Sequence, residues 1–252
     1  MVMKRANPLF VFLIAIPMVF AASAARADEA APPVVVELFT SQGCSSCPPA
    51  DAYLGDLARR EDILALGFHV DYWDYIGWAD PYSLKVATRR QQDYAGTMSL
   101  ASVFTPQMVV NGTRQGVGSD RSAVGLLIRD AMAHPTPHPS LTVARKAGGG
   151  LAIHVGGRPA GSIADEKPAT IWLVAYDSEH TTVVAQGENG GHTLKDYQVV
   201  RSLRGIGTWT GAPLDIAVAA KDITFGTGGV AVLVQTGGVG PIIAATSLKP
   251  GI

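Results

Sequence analysis

The stretch Gly43-Cys44-Ser45-Ser46-Cys47-Pro48-Pro49 follows the apolar run from Val34 to Phe39 and opens an amphipathic segment. Its two cysteines are the only two in the 252-residue chain. A strand that ends in a short loop and delivers Cys-x-x-Cys into the first turn of a helix puts both sulfurs within disulfide reach. It also points the first thiol at the unpaired N–H groups of the helix start, which favour a thiolate. The spacing therefore predicts redox geometry. The sulfurs are expected to be exposed at the mouth of the module.

The segments on either side of the motif fit a β-α-β-α-β-β-α order. Val34 to Phe39 is nearly continuous in apolar residues, as a buried parallel strand is. From Pro48 onward, Ala50, Leu54, Leu57 and Ala58 make one apolar helical face, while Asp51, Asp56, Arg59 and Arg60 lie largely elsewhere. Ile63 to Val70 is a second buried strand, and the right-handed crossover rule makes it parallel to the first. Asp71 to Trp78 is dense in aromatics without a clear period, which fits either a loop packed by its own rings or a wall beside the thiols built from Tyr72 and Trp73. Asp80-Pro81 predicts a cap and a helix to about Tyr94, with Arg89 to Asp93 as a solvated face. Thr105-Pro106 heads a hairpin that turns at Asn111-Gly112, a type I′ signature. A proline at that position sits on an edge or in a special conformation, commonly cis. Ser119-Asp120 caps a last helix with a stripe of Val124, Leu127, Ile128 and Ala131.

The first residues read as a secretory leader. Lys4 and Arg5 give the positive start, Leu9 to Ala22 an apolar core, and Ala25-Arg26-Ala27 a small-x-small site, so residues 1–27 are expected to be cleaved. The core is too short and broken for a comfortable membrane span. Cleavage would leave 225 residues and, with Lys4, Arg5 and Arg26 gone, a formal charge of −4 in place of −1. No basic cluster remains, which argues against a nucleic-acid partner and against stable membrane insertion after cleavage. The expected location is periplasmic or secreted. In such a compartment one cysteine pair is either a catalytic couple or a small staple, and a bridge over two residues removes little entropy from the unfolded chain.

His134-Pro135-Thr136-Pro137-His138-Pro139 reads as a stiff linker, so a domain boundary is expected at 135–139, and its histidines read as polar loop residues. Beyond it lie short runs separated by glycines: Leu141 to Ala144, Leu151 to Val155, Thr170 to Tyr176, Thr182 to Ala185, Asp196 to Val200, Leu214 to Val218, Val230 to Gln235 and Ile242 to Ala245. This pattern predicts an all-β sandwich or barrel over 140–252, with Trp172 and Trp209 as core anchors.

With Cys44-Ser45-Ser46-Cys47 at a strand-to-helix turn and Thr105-Pro106 before an antiparallel hairpin, residues 34–134 resemble the thioredoxin superfamily. More narrowly, Leu38 to Asp51, Phe68 to Asp74, Thr105 to Gly112 and Gly187 to Leu194 resemble the exported bacterial family catalogued as domain of unknown function 1223. The resemblance implies an α/β thioredoxin-like domain followed by the sandwich-like one. It also implies that Thr105 and Pro106 lie against the cysteines and bind a substrate strand. Gly43 stands where better-known relatives carry tryptophan.

Within this frame Cys44 is the candidate nucleophile and Cys47 the resolving thiol. Tyr72, Trp73, Thr105 and Pro106 are candidate substrate contacts. Glu37 is a proton acceptor near Cys47, or it lies at the solvent edge of the strand or pairs with a cation. His69 and Asp71, on one strand face, are either catalytic neighbours or satisfied core groups. No cofactor and no resident metal are expected, because two cysteines are too few for structural zinc. The expected partners are protein thiols or disulfides and a redox partner protein. A binding protein with a permanent disulfide and a Cu(I)-handling protein using both thiolates and His69 are the competing readings.

Overall fold

The strand expected before the motif is β1 (Val34–Thr40), buried along its whole length. It pairs in parallel with β2 (Ile63–His69), and α1 (Pro48–Leu57) crosses between them, as the spacing predicts. The computed structural model describes residues 1–3, 32–160 and 167–250. Nearly all of the expected leader and its cleavage site fall in 4–31, outside the described residues. Among the described residues no helix is long and apolar enough to cross a membrane.

Then follow α2 (Lys85–Thr97), β3 (Gln107–Val110), β4 (Arg114–Val117) and α3 (Arg121–Ala133). Because β3 runs antiparallel to both β1 and β4, the local strand order is β2-β1-β3-β4. Asn111 and Gly112 both have positive φ, 46° and 68°, as a type I′ turn requires. Asp120 caps α3 by accepting the Ala123 N–H at 2.9 Å. The Thr105-Pro106 bond is cis. Strand alternation divides β1 between two cores. Val34, Val36 and Leu38 meet Ala50 and Leu54 of α1 and Val124 and Ile128 of α3. Val35 and Phe39 meet Ala87 and Tyr94 of α2 on the other side.

Two expectations about α2 fail. The helix begins at Lys85, not Pro81, because Asp80 is engaged elsewhere: its carboxylate takes the Gln42 N–H, the Tyr82 N–H and the ring of His69. The run Arg89 to Asp93 is not a solvated face throughout, since Arg90 and Gln91 turn inward and are buried.

The second half departs further from its expected form. β5 (Leu141–Arg145), β6 (Leu151–Val155) and β9 (Leu214–Val218) make a three-stranded antiparallel sheet. β7 (Ala169–Val183), β8 (Thr193–Trp209), β10 (Gly229–Thr236) and β11 (Ile242–Leu248) instead extend the first sheet, giving eight strands in the order β11-β10-β7-β8-β2-β1-β3-β4. The seam is Gly67, paired with Val199 of β8. A Cβ there would stand 2.8 Å from the Tyr197 carbonyl oxygen, so a side chain would push the two halves apart. Residues 135–139 therefore mark a change of sequence texture and do not divide two compact units, because 31–252 cluster as one. The small sheet packs on the large one through Leu151, Ile153 and Val155 against Ile171, Trp209, Val230 and Val232. The large sheet is shared with the first half. The run expected at 170–176 and the first two residues of the one expected at 182–185 belong to one 15-residue strand that ends at Val183, and 196–200 lies inside a 17-residue one.

Candidate functional site

Cys44 and Cys47 form a disulfide, with Cα atoms 5.4 Å apart. The main chain winds into α1 through Cys44 N–H to Ser41 O and Cys47 N–H to Cys44 O, both 3.1 Å. Cys47 is the N-cap of α1, and its carbonyl accepts from Ala50 and Asp51. Pro48 and Pro49 fit because the first helical turn needs no N–H. Cys44 thus sits in the turn before the helix rather than within it.

The expected exposure of the sulfurs is overturned. Ser45 and Ser46 face solvent, but Cys44 and Cys47 are 1% and 0% exposed. Two elements cover the site. Trp73 backs the motif, so that a Cβ on Gly43 would lie 3.1 Å from the Trp73 Cβ, and its indole N–H donates to Thr105 Oγ1 at 2.8 Å. One tryptophan thereby links the cis-proline segment to the cysteine loop. Trp78 donates to Gln42 Oε1 at 3.1 Å. The second cover comes from the β7–β8 turn, where Asn189 donates to the carbonyls of Gln42 and Cys44 at 2.9 and 3.0 Å and Glu188 accepts the Ser45 N–H at 3.1 Å.

Beneath the motif lies a buried polar cluster of Gln42, Asp51, His69, Asp80 and Asp196. His69 Nδ1 is 2.7 Å from Asp80 Oδ2 and its Nε2 is 4.0 Å from Asp196. Gln42 donates to Asp196 at 2.7 Å. Burial works against charge on His69, but the adjacent Asp80 outweighs it and raises the imidazole pKa to about 9. Burial likewise pushes Asp80 up, yet the charge of His69 holds it below the ordinary carboxylate range. That pair is ionic. For Asp51, burial and then the nearby Asp196 push the carboxyl up to about 8, so it is a neutral acid at pH 7.

Glu37 is not part of this site. By alternation it faces α2, the side of the sheet opposite α1, where Arg90 donates to it at 2.6 Å and Tyr94 also bonds it. The cation-paired alternative is the one realised. His69 and Asp71 are not brought together either: Asp71 accepts from Thr88 and His69 bonds Asp80. Tyr72 packs beside Trp73 and donates to Gln91 at 3.1 Å. The aromatic segment is therefore both a packed loop and a wall of the site, with Tyr75 left 84% exposed.

Sequence reasoning missed Asp51, Asp196 and Asn189. The signal for Asp51 was present, because a residue four after Cys47 lies only about 40° from it around a helix of 3.6 residues per turn, and about 60° from Leu54. It belongs to the apolar stripe. Asp196 alternates with the buried Leu194 in β8, a period-two signal. Asn189 lay in the family-like stretch Gly187 to Leu194, but nothing local pointed to its partners, which lie about 145 residues away.

Fold and site together define a mixed α/β protein with a Cys-x-x-Cys disulfide at a helix start, backed by a buried acid cluster. A family model described as a protein of unknown function, DUF1223, matches residues 35–235. The chain belongs to that family. Among solved structures it is similar to protein AGR_C_4864 from Agrobacterium tumefaciens, at 28% identity over 88% of this chain and 96% of that one, with TM-score 0.74. It also shares its fold with HBP35 of Porphyromonas gingivalis, at 14% identity over 87% and 75% of the two chains and TM-score 0.60. No curated protein matches the chain.

Proposed function

We propose that this chain is an exported thiol–disulfide exchange protein built on a thioredoxin-like module, acting on protein thiols or disulfides together with a redox partner protein. The strand order β2-β1-β3-β4, the cis Thr105-Pro106 bond and the disulfide at the start of α1 support the thioredoxin-like affiliation. Trp73, reaching in from another loop, fills the space that Gly43 leaves open. The observation that carries the reading is the Cys44–Cys47 disulfide at the start of α1, with the buried Asp51 one helical turn beyond Cys47 and its N–H bonded to the Cys47 carbonyl at 3.1 Å.

Exchange balances as follows. A substrate thiolate attacks Cys44 Sγ, the Cys44–Cys47 bond breaks, and Cys47 leaves as a thiolate that takes the Asp51 proton. A second substrate thiolate attacks the substrate sulfur of the mixed disulfide and releases Cys44. Two electrons pass from substrate to the cysteine pair, and the reverse sequence reduces a substrate disulfide. Asp51 takes the role that Glu37 was weighed for.

Cys47→Ser, expressed in the native compartment, is expected to accumulate mixed disulfides through Cys44, and Cys44→Ser to accumulate none. If Cys47→Ser traps nothing and both variants sustain full cellular function, the exchange reading fails. That result would favour a non-enzymatic binding protein with a permanent bridge, which the burial of both cysteines specifically supports. The Cu(I) reading draws less from the geometry. His69 is committed to Asp80, and among the described residues no group of three His, Cys, Asp or Glu side chains is placed to hold a metal ion.

A further inference from the structure

The covering turn between β7 and β8 has features of a moving part. Residues 185–188 and 190–193 are exposed, and Asn189 alone is inserted, at 7% exposure. Its shape is held internally, by Val184 N–H to His192 O at 2.9 Å, Gly191 N–H to Val184 O at 2.8 Å and Gly190 N–H to Gly187 O at 3.0 Å. Among the described residues its hydrogen bonds to the motif are the two from Asn189 and the one from Ser45 to Glu188, and Gly187 also lies against Trp78, where a Cβ would stand 3.3 Å from the Trp78 Cβ. Gly187 and Gly191 have φ of +77° and +85°, which lets the backbone bend at both ends of the insertion without side-chain strain.

We propose that residues 187–191 are a strap that gates the Cys44–Cys47 disulfide, with Asn189 as its latch. This rests on the exchange reading and adds to it the step that makes buried sulfurs reachable. The closed strap shields the disulfide, and exchange proceeds from the fraction of molecules in which Asn189 has withdrawn. The Glu188 carboxylate also holds the N–H of Ser45, the neighbour of Cys44, whose sulfur lies 3.3 Å from Ser46 Oγ. Reduction places a thiolate beside that carboxylate, and repulsion between the two negative groups biases the strap open. Partners that reach Cys44 are those that displace or outlast the latch, so Asn189 and Glu188 set which thiols react and how fast.

The test is the rate at which dithiothreitol, closing to its cyclic disulfide, delivers two electrons to the Cys44–Cys47 bond of the full chain, followed by maleimide mass labelling. The same measurement is repeated with a reduced thioredoxin as a bulky donor. Two hydrogen bonds to main-chain carbonyls set the expected acceleration in Asn189→Ala at about thirtyfold. Glu188→Ala is expected to accelerate reduction roughly threefold, since it removes one exposed contact. Melting curves accompany both variants. If Asn189→Ala melts early, Glu188→Ala decides, because its side chain is exposed and its removal costs one surface hydrogen bond. Reduction of both folded variants at the wild-type rate, with either donor, overturns the strap. Acceleration in the variants while Cys47→Ser traps no partner sustains the gate and sinks the exchange reading, so the two failures are distinguishable.

Discussion

Replacing Glu37 with glutamine removes a charge from the one carboxylate that, among the described residues, bonds Arg90, a residue 2% exposed against a partner 0% exposed. What remains around the guanidinium is Tyr94 and Gln235, at 3.0 and 2.9 Å, and the rings of Phe68, Tyr94 and Trp172 within 5.8 Å. Those groups soften the loss without neutralising it, and Arg90 Nη1 already has no hydrogen-bond partner. Breaking a buried pair from one side costs about 3–5 kcal/mol. In a chain of this size each kcal/mol lowers the melting temperature by about 2–4 °C, so a drop of roughly 10 °C is expected by circular dichroism. The double variant Glu37→Leu with Arg90→Met should recover much of that loss, because it leaves no unpaired charge. Since Glu37 faces away from α1, dithiothreitol should reduce the Cys44–Cys47 bond of the folded single variant at the wild-type rate. A melting temperature within about 2 °C of wild type, or an altered reduction rate, would refute this account of Glu37.

The acid cluster makes stability depend on pH. Asp51 titrates near 3.8 in the unfolded chain and about 8 in the folded one, and His69 near 6.5 and about 9. Between those values the folded protein holds protons that the unfolded chain has lost, so stability declines as pH rises, by up to ~1.4 kcal/mol per pH unit for each group. Melting temperature should fall from pH 6.5 to 9, and Asp51→Asn should flatten the part below pH 8; a rise over that window would contradict the assignment. Asp51→Asn should also slow the attack of a thiol on the Cys44–Cys47 disulfide at pH 7, the step in which Cys47 is the leaving group, measured by stopped-flow, and an unchanged rate would remove Asp51 from the exchange chemistry. Gly67→Ala should cost about 1–3 kcal/mol by overpacking the β2–β8 seam, and urea unfolding with an unchanged midpoint would show that the seam tolerates a side chain.

Local patterns carried the first half of the molecule. The buried strand Val34 to Phe39, the helix that follows the prolines, the Asn111-Gly112 turn and the Asp120 cap are each decided within a few residues, by periodicity and by turn chemistry, so they could be read in order along the chain. The cysteine pair was legible for the same reason. The later strands were legible as apolar runs but not in their length. β7 and β8 continue past their buried cores with exposed residues, which apolar patterning does not register.

What the sequence by itself determined, then, is the βαβ unit, the hairpin headed by Thr105-Pro106 and a cysteine pair at a helix start, all products of short-range backbone preference. Only the tertiary structure decided that the halves share one sheet, that Asp80 leaves its cap position to hold His69, that Glu37 turns to Arg90, and that Asn189 bonds the main chain of the cysteine loop. Each of these depends on a polar or glycine residue finding its partner far along the chain, from 11 residues for His69 and Asp80 to 145 for Asn189 and Cys44. A buried polar group must be satisfied by whatever the fold brings near it, and one residue's neighbours in sequence do not say what that will be.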